Sequence, residues 1–304
     1  MTRPAWWRRF LVRGVFWRQV LHWAVLNVPV WLEPLVIAFW SAFFLLWGPG
    51  RRGVMYNLRA IKPRSFALTN FFRTYNVFWN YAWTITDNAR LQELRTVPDW
   101  EFAGWEHFER LQSLETGAIM LTAHMGSYDL GAQLFGEMKT RTLITVRAPE
   151  IDPQTQQFEE NLHGRTVGEA VNVSFNTRAN DLAFDLLEAA GRGDIIAIQG
   201  DRVTAGVSPF RSTLFGKPAD LPAGPFALAM AARIPIFPLF IVRRGRRRYQ
   251  LITCAPIFVE RRSRTRDEDL RGAVDQWASE LETVIGRAWN QWFMFEPFYG
   301  DQRA

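Results

Sequence analysis

From about residue 99 onward, short apolar runs and longer segments of helical periodicity alternate along the chain, and no other feature restricts the fold as strongly. Strand-like runs fall near 100–103, 118–123, 142–147, 171–175, 194–199, 236–242 and 249–259. Helical spacing falls near 105–115, 127–138, 153–163, 179–191, 223–232 and 267–290. Strands separated by helix-length segments pair in parallel through crossovers, and the crossing helices cover the sheet. The expected fold is therefore α/β, with a largely parallel central sheet flanked by helices. A chain of 304 residues with 48% hydrophobic content can bury such a core. Ligands of parallel sheets gather at the carboxyl ends of the strands. His124 follows the second run, Arg147 ends the third and Asp201 follows the fifth, so three polar residues stand at three strand ends.

The N-terminal region differs in character. Residues 1–60 hold eight arginines against the single acid Glu33, and seven of the fourteen tryptophans: Trp6, Trp7, Trp17, Trp23, Trp31, Trp40 and Trp47. Arginine is drawn to anionic headgroups, and the indole ring, apolar with one N–H that wants water, favours the membrane interface. The long apolar runs between these arginines argue for a membrane surface and against nucleic acid. The run Leu35–Trp47 would make a helix of about 20 Å, short of the ~30 Å hydrocarbon core, and Pro29, Glu33 and Pro34 interrupt any extension. Two helical pieces, about 15–28 and 35–47, are expected to lie in or dip into one leaflet or to pack on the globular domain. "WGPGRRG" at 47–53 is the candidate boundary, dividing membrane-associating helices in 1–50 from the main domain in 51–304. Aromatic residues at helical spacing in 65–90 read as core-facing.

"GAIMLTAHMGSYDLGAQLF", residues 117–135, carries a strand pattern into His124 and reaches Asp129 five positions later. An imidazole can act as general base when a carboxylate on its other nitrogen fixes the tautomer and stabilises the imidazolium. With His124 on a strand-to-helix turn and Asp129 in the first helical turn, the two side chains can approach, and Gly126 relieves the turn. The spacing is equally met by Ser127 or Asp129 capping a helix beside a histidine without a catalytic role.

The surrounding blocks narrow the choice. "HMGSYD" resembles the H-x4-D/E signature of lysophospholipid acyltransferase-like enzymes, and the wider pattern resembles the lipid A biosynthesis acyltransferase branch, which includes phosphatidylinositol mannoside acyltransferases. "TVRAPE" with Arg147, "IIAIQGDRV" with Asp201, "TLFGKPADLPAGPFALAMAARIPIFPLFIVR" and "NQWFMFEPFY" resemble further blocks in the family's order. Many lipid A members carry glutamate at the place of Asp129 and Asp-x-Asp at the place of "QGD"; the second departure bears on substrate identity. The resemblance implies transfer of a fatty acyl group from an acyl carrier protein or coenzyme A thioester to a hydroxyl of a membrane lipid or glycolipid. His124 would be the base and Asp129 its orienting acid. Arg147, Asp201 and Arg202 would bind substrate, with Asp201 either assisting His124 or positioning the acceptor, and without a metal or organic cofactor, at the cytoplasmic face of a bacterial inner membrane.

Other classes fit less well. "GxSxG" is absent, which weighs against a serine acyl-hydrolase, whereas a catalytically silent lipid-binding protein could keep the same fold to bury an acyl chain. Cys254 is the sole cysteine, so no intramolecular disulfide and no cysteine-based metal cluster can form; in "YQLITCAPIFVE" it reads as a small buried hydrophobe. Arginine clusters at Arg243–Arg248, a hairpin tip, and Arg261–Arg266, a loop before a helix, can dock an acidic carrier protein or lipid phosphates. The aromatic "QWFMFEPFY" is expected to lock the last segment onto the core.

Overall fold

The computed structural model describes residues 15–47, 50–127, 130–131, 141–147, 171–175, 179–204 and 206–299. Asp129, most of the expected helix at 127–138 and all of that at 153–163 lie outside them. The strands are β1 (Asp99–Ala103), β2 (Ala118–Thr122), β3 (Leu143–Arg147), β4 (Val171–Phe175), β5 (Ile195–Gln199), β6 (Pro209–Leu214), β7 (Lys217–Pro222), β8 (Ile236–Gly245) and β9 (Arg248–Thr253). The described helices, numbered in chain order, are α1 (Val15–Asn27), α2 (Glu33–Trp47), α3 (Arg51–Ile61), α4 (Ala67–Leu94), α5 (Trp105–Ser113), α6 (Ala179–Gly191), α7 (Gly224–Ala232) and α8 (Arg266–Arg287).

Seven strands form one sheet in the order β1-β9-β8-β2-β5-β3-β4, parallel at every pairing except β8 with β9. β2 is buried along its whole length, as a central strand covered on both faces must be, which is why "AIMLT" reads as an unbroken apolar run. Successive residues serve opposite faces. Ile119 and Leu121 join the core built with α6, α7 and α8, while Ala118 and Met120 join the core against α5 and Leu91 of α4. α8 is sharply started by Thr265, whose hydroxyl accepts the Glu268 N–H, with three acids in the first turn favouring the positive end of the helix dipole. Leu270, Val274, Trp277, Leu281 and Ile285 then recur at three- and four-residue steps along its buried side.

α1 and α2 both pack on α4. α2 begins at Glu33, two residues earlier than expected, because Pro34 fits the first helical turn, where its missing N–H is not needed. The stretch 47–53, expected as a turn-rich break, passes into α3, whose buried Val54, Leu58 and Ile61 share one side of an arginine-bearing helix. Residues 209–222, outside every strand-like run read from the sequence, form the antiparallel β6–β7 hairpin, closed through Phe215 and Gly216, both at positive φ. No single helix among the described residues is long and apolar enough to cross a membrane.

Candidate functional site

Because β2, β3 and β5 are parallel, their carboxyl ends open on the same edge of the sheet. His124 stands two residues beyond β2, Asp201 two residues beyond its direct neighbour β5, and Arg147 at the end of β3, one strand further on. Adjacent strands lie about 4.8 Å apart, which brings the first two within side-chain reach. His124 Nδ1 lies 2.7 Å from Asp201 Oδ1, and the His124 backbone N–H donates to Asp201 Oδ2 at 3.0 Å. The indole N–H of Trp292 donates to the same Oδ2 at 2.9 Å. Asp201 is fully buried, whereas the His124 side chain keeps 23% of its surface in the open.

Burial alone pushes the Asp201 carboxyl upward. The charge of His124 and the hydrogen bonds from His124 and Trp292 together outweigh it, leaving the carboxyl below its ordinary value. An ionised carboxylate only accepts hydrogen bonds, so Nδ1 must carry the proton, and in the neutral ring Nε2 keeps its lone pair. The arrangement is that of a base whose tautomer is fixed from behind.

The backbone around the pair is held from several sides. Gly126 at φ +54 lets the chain turn against β8; a Cβ there would fall 1.7 Å from the Ile241 carbonyl oxygen. The Gly126 N–H donates to Gln291 O, and the Phe293 N–H donates to His124 O at 2.7 Å, so the C-terminal segment is tied onto this turn. The Gly200 N–H donates to Thr122 O, and Gly200 O accepts from Trp277 of α8 at 2.9 Å, fixing the residue before Asp201. Ser127 gives its hydroxyl to Asn88 of α4 at 2.6 Å.

Of the sequence-predicted residues, His124, Arg147, Asp201 and Arg202 share this edge, and Asp129 lies outside the described residues. Arg202 is half-buried, and its Nε has no acceptor among the described residues. Trp292 and Gln291 had no site role in the sequence-based reading. A buried indole N–H demands an acceptor, but nothing in "NQWFMFEPFY" says which. Cys254 is half-buried, and burial together with Glu280 pushes its thiol up to about 12, so it is not a thiolate at neutral pH. A groove of about 710 Å³ between α8 and β6, lined by Ser212, Phe215, Asp275 and Glu282 among others, includes none of these site residues. Among the described residues no three His, Cys, Asp or Glu side chains are grouped to hold a metal ion.

The sequence model described as bacterial lipid A biosynthesis acyltransferase matches residues 69–299, most of the chain. The chain belongs to that family. No individually curated protein matches it. The match includes His124, Arg147, Asp201 and the Trp292 segment, so the buried pair and the residues that clamp it lie within the family's shared region. Membership makes the activity of lipid A acyltransferase type, with an acyl donor and a lipid acceptor in general terms.

Proposed function

We propose that this chain is a membrane-associated O-acyltransferase of the bacterial inner membrane. It moves a fatty acyl group from an acyl carrier protein or coenzyme A thioester to a lipid or glycolipid hydroxyl at the cytoplasmic face. The carrying observation is the half-open imidazole of His124 backed by the buried carboxylate of Asp201 at a sheet edge. His124 Nε2 takes the hydroxyl proton as the oxygen attacks the thioester carbonyl carbon. When the tetrahedral intermediate collapses, the C–S bond breaks and the imidazolium returns that proton to the departing thiolate, so the ester and free thiol are formed with the base regenerated. Asp201 keeps Nδ1 protonated and stabilises the imidazolium. Arg147 is the candidate donor to the oxyanion and Arg202 the candidate partner of a substrate phosphate. Asp129, the orienting acid by resemblance, is proposed to assist the same imidazole, with Asp201 as the acid on Nδ1.

Large apolar side chains support the membrane reading: Phe16, Trp23, Trp31, Leu35 and Phe39 on or between α1 and α2, with Phe66, Leu68 and Phe72 at the start of α4, are exposed. Apolar side chains that join into one surface mark a membrane or partner contact, and on this reading these residues supply it. The proposed division keeps residues 1–50 as the membrane-associating part and 51–304 as the catalytic part.

The test supplies labelled acyl carrier protein or acyl coenzyme A, in separate reactions, to the protein with extracted inner-membrane lipids. An acylated lipid product is expected from one donor at least. Free fatty acid alone would make the protein a hydrolase, and no turnover with either donor would make it a silent lipid-binding protein.

A further inference from the structure

Four arginines meet at the turn between β8 and β9. Arg243 and Arg246 lie over the buried Trp83 ring, their guanidinium carbons 5.3 Å and 5.6 Å from its centroid. Arg246 reaches the Glu33 carboxylate and the Val30 carbonyl at the α1–α2 connection, Arg247 Nη2 lies 3.5 Å from Glu33, and buried Arg90 of α4 pairs with the same carboxylate. The second acid, Asp87, already accepts the Tyr249 hydroxyl on Oδ2 at 2.7 Å, and its Oδ1 has no donor among the described residues. Among the described residues four guanidinium groups therefore share two carboxylates. The Nε atoms of Arg90, Arg243 and Arg247 are buried without an acceptor among the described residues. Burial and the neighbouring charges of Arg247 and Arg246 push the Arg90 guanidinium down, as expected where positive charge is in excess.

A purely structural ion-pair network would match its charges, because each buried N–H left without an acceptor costs about 1–3 kcal/mol. A phosphate supplies the missing negative charge and several acceptor oxygens, and the planar guanidinium fork is suited to it. We infer that Arg90, Arg243, Arg246 and Arg247 form a binding site for the phosphate of an anionic membrane-lipid headgroup. The surroundings favour a lipid over an acidic protein. Trp31 and Leu35, on either side of Glu33, are 75% and 65% exposed and give the site an apolar rim. Arg90 and Glu33 are buried while Arg246 and Arg247 keep 39% and 29% of their side chains exposed, so a ligand reaches the cluster past those two. The site adjoins the proposed catalytic turn, since Gln291 bonds Arg243 through both its N–H and its carbonyl while its own carbonyl holds Gly126. The inference uses the proposed function only for the nearness of a lipid surface, and its test reads vesicle binding and not acyl transfer, so either can fail alone.

The experiment compares sedimentation of the full chain with phosphatidylcholine vesicles and with vesicles also containing phosphatidic acid. The double variant Arg246→Gln/Arg247→Gln is set against Arg261→Gln/Arg264→Gln, which removes equal charge from exposed positions at the opposite end of β8, where Ile257 pairs with Ile236. That end is roughly 30 Å away, well beyond the ~8–10 Å screening length. The first variant is expected to lose about thirtyfold in affinity for anionic vesicles, the second about threefold or less, with binding to neutral vesicles unchanged. Arg246→Lys/Arg247→Lys should recover most of the loss. Equal losses in the two glutamine variants, or none in the first, would overturn the site. So would loss of binding to an acidic acyl carrier protein with vesicle binding intact. Should the glutamine variant not fold, wild-type protein decides: inorganic phosphate must release it from anionic vesicles better than chloride of equal ionic strength. Equal release by both salts, or phosphate binding without preference for anionic vesicles, would overturn the inference.

Discussion

Replacing Asp201 by asparagine changes one atom of the candidate site and should change the position of a proton. Asp201 Oδ2 accepts from the His124 backbone N–H and the Trp292 indole, so the amide oxygen of asparagine must take that place. The amide NH2 then faces His124 Nδ1, 2.7 Å away in the native pair, and forces that nitrogen to accept. The imidazole proton moves to Nε2, which removes the lone pair needed to receive the substrate proton. The same change of tautomer in a serine protease's imidazole lowers kcat about 10⁴-fold. Here a loss of about 10³–10⁴ in kcat with little change in KM is expected, equivalent to about 4–5.5 kcal/mol of the barrier. Acyl transfer from a labelled thioester measures the rate, and ring ¹⁵N chemical shifts report the tautomer. Folding should survive, since each buried donor keeps a partner. Activity above about a tenth of wild type with an Nε2-protonated ring would refute the reasoning.

Further outcomes follow from the same geometry. Asp201 is held below its unfolded carboxylate value, so it contributes stability above about pH 4 that is lost as pH falls through the lower folded value. Thermal melts should therefore show wild type losing more stability below pH 4 than Asp201→Asn, and equal acid sensitivity would count against the pair. Trp292→Phe keeps the ring packed on Phe298 but removes one donor to the carboxylate, and should cost about 1.5–3 kcal/mol in denaturant unfolding, with a partial loss of rate. Gly126→Ala places a Cβ 1.7 Å from the Ile241 carbonyl in a left-handed conformation, and should yield little folded protein; a normal melting temperature would contradict the described turn.

The strands were legible because parallel strands buried on both faces leave unbroken apolar runs such as "AIMLT" and "IIAIQ". The order in which those strands pair was not. His124 and Asp201 are 77 positions apart and meet only because β5 lies beside β2, whereas the spacing from His124 to Asp129 is visible in any window. α3 was obscured by the glycine-rich basic stretch that leads into it and by Arg51, Arg52 and Arg59 on its outer side. The β6–β7 hairpin was hidden by Pro218 and Pro222, which sit in an edge ribbon where a missing N–H is tolerated, and by a turn that uses Phe215 where asparagine or glycine is usual. Trp292 looked like core filler and is indeed buried, yet its one polar atom reaches the acid behind the imidazole.

The most direct measurement of the central claim is acyl transfer by His124→Ala against wild type, at equal amounts of folded protein and with acylated lipid as the readout. The account predicts loss of transfer to background with vesicle binding kept and a fold that survives at a lowered melting temperature, because the buried Asp201 carboxylate loses the imidazole but keeps the residue 124 backbone N–H and the Trp292 indole as donors. A variant that still transfers acyl chains at most of the wild-type rate would show that the proton is taken by another group.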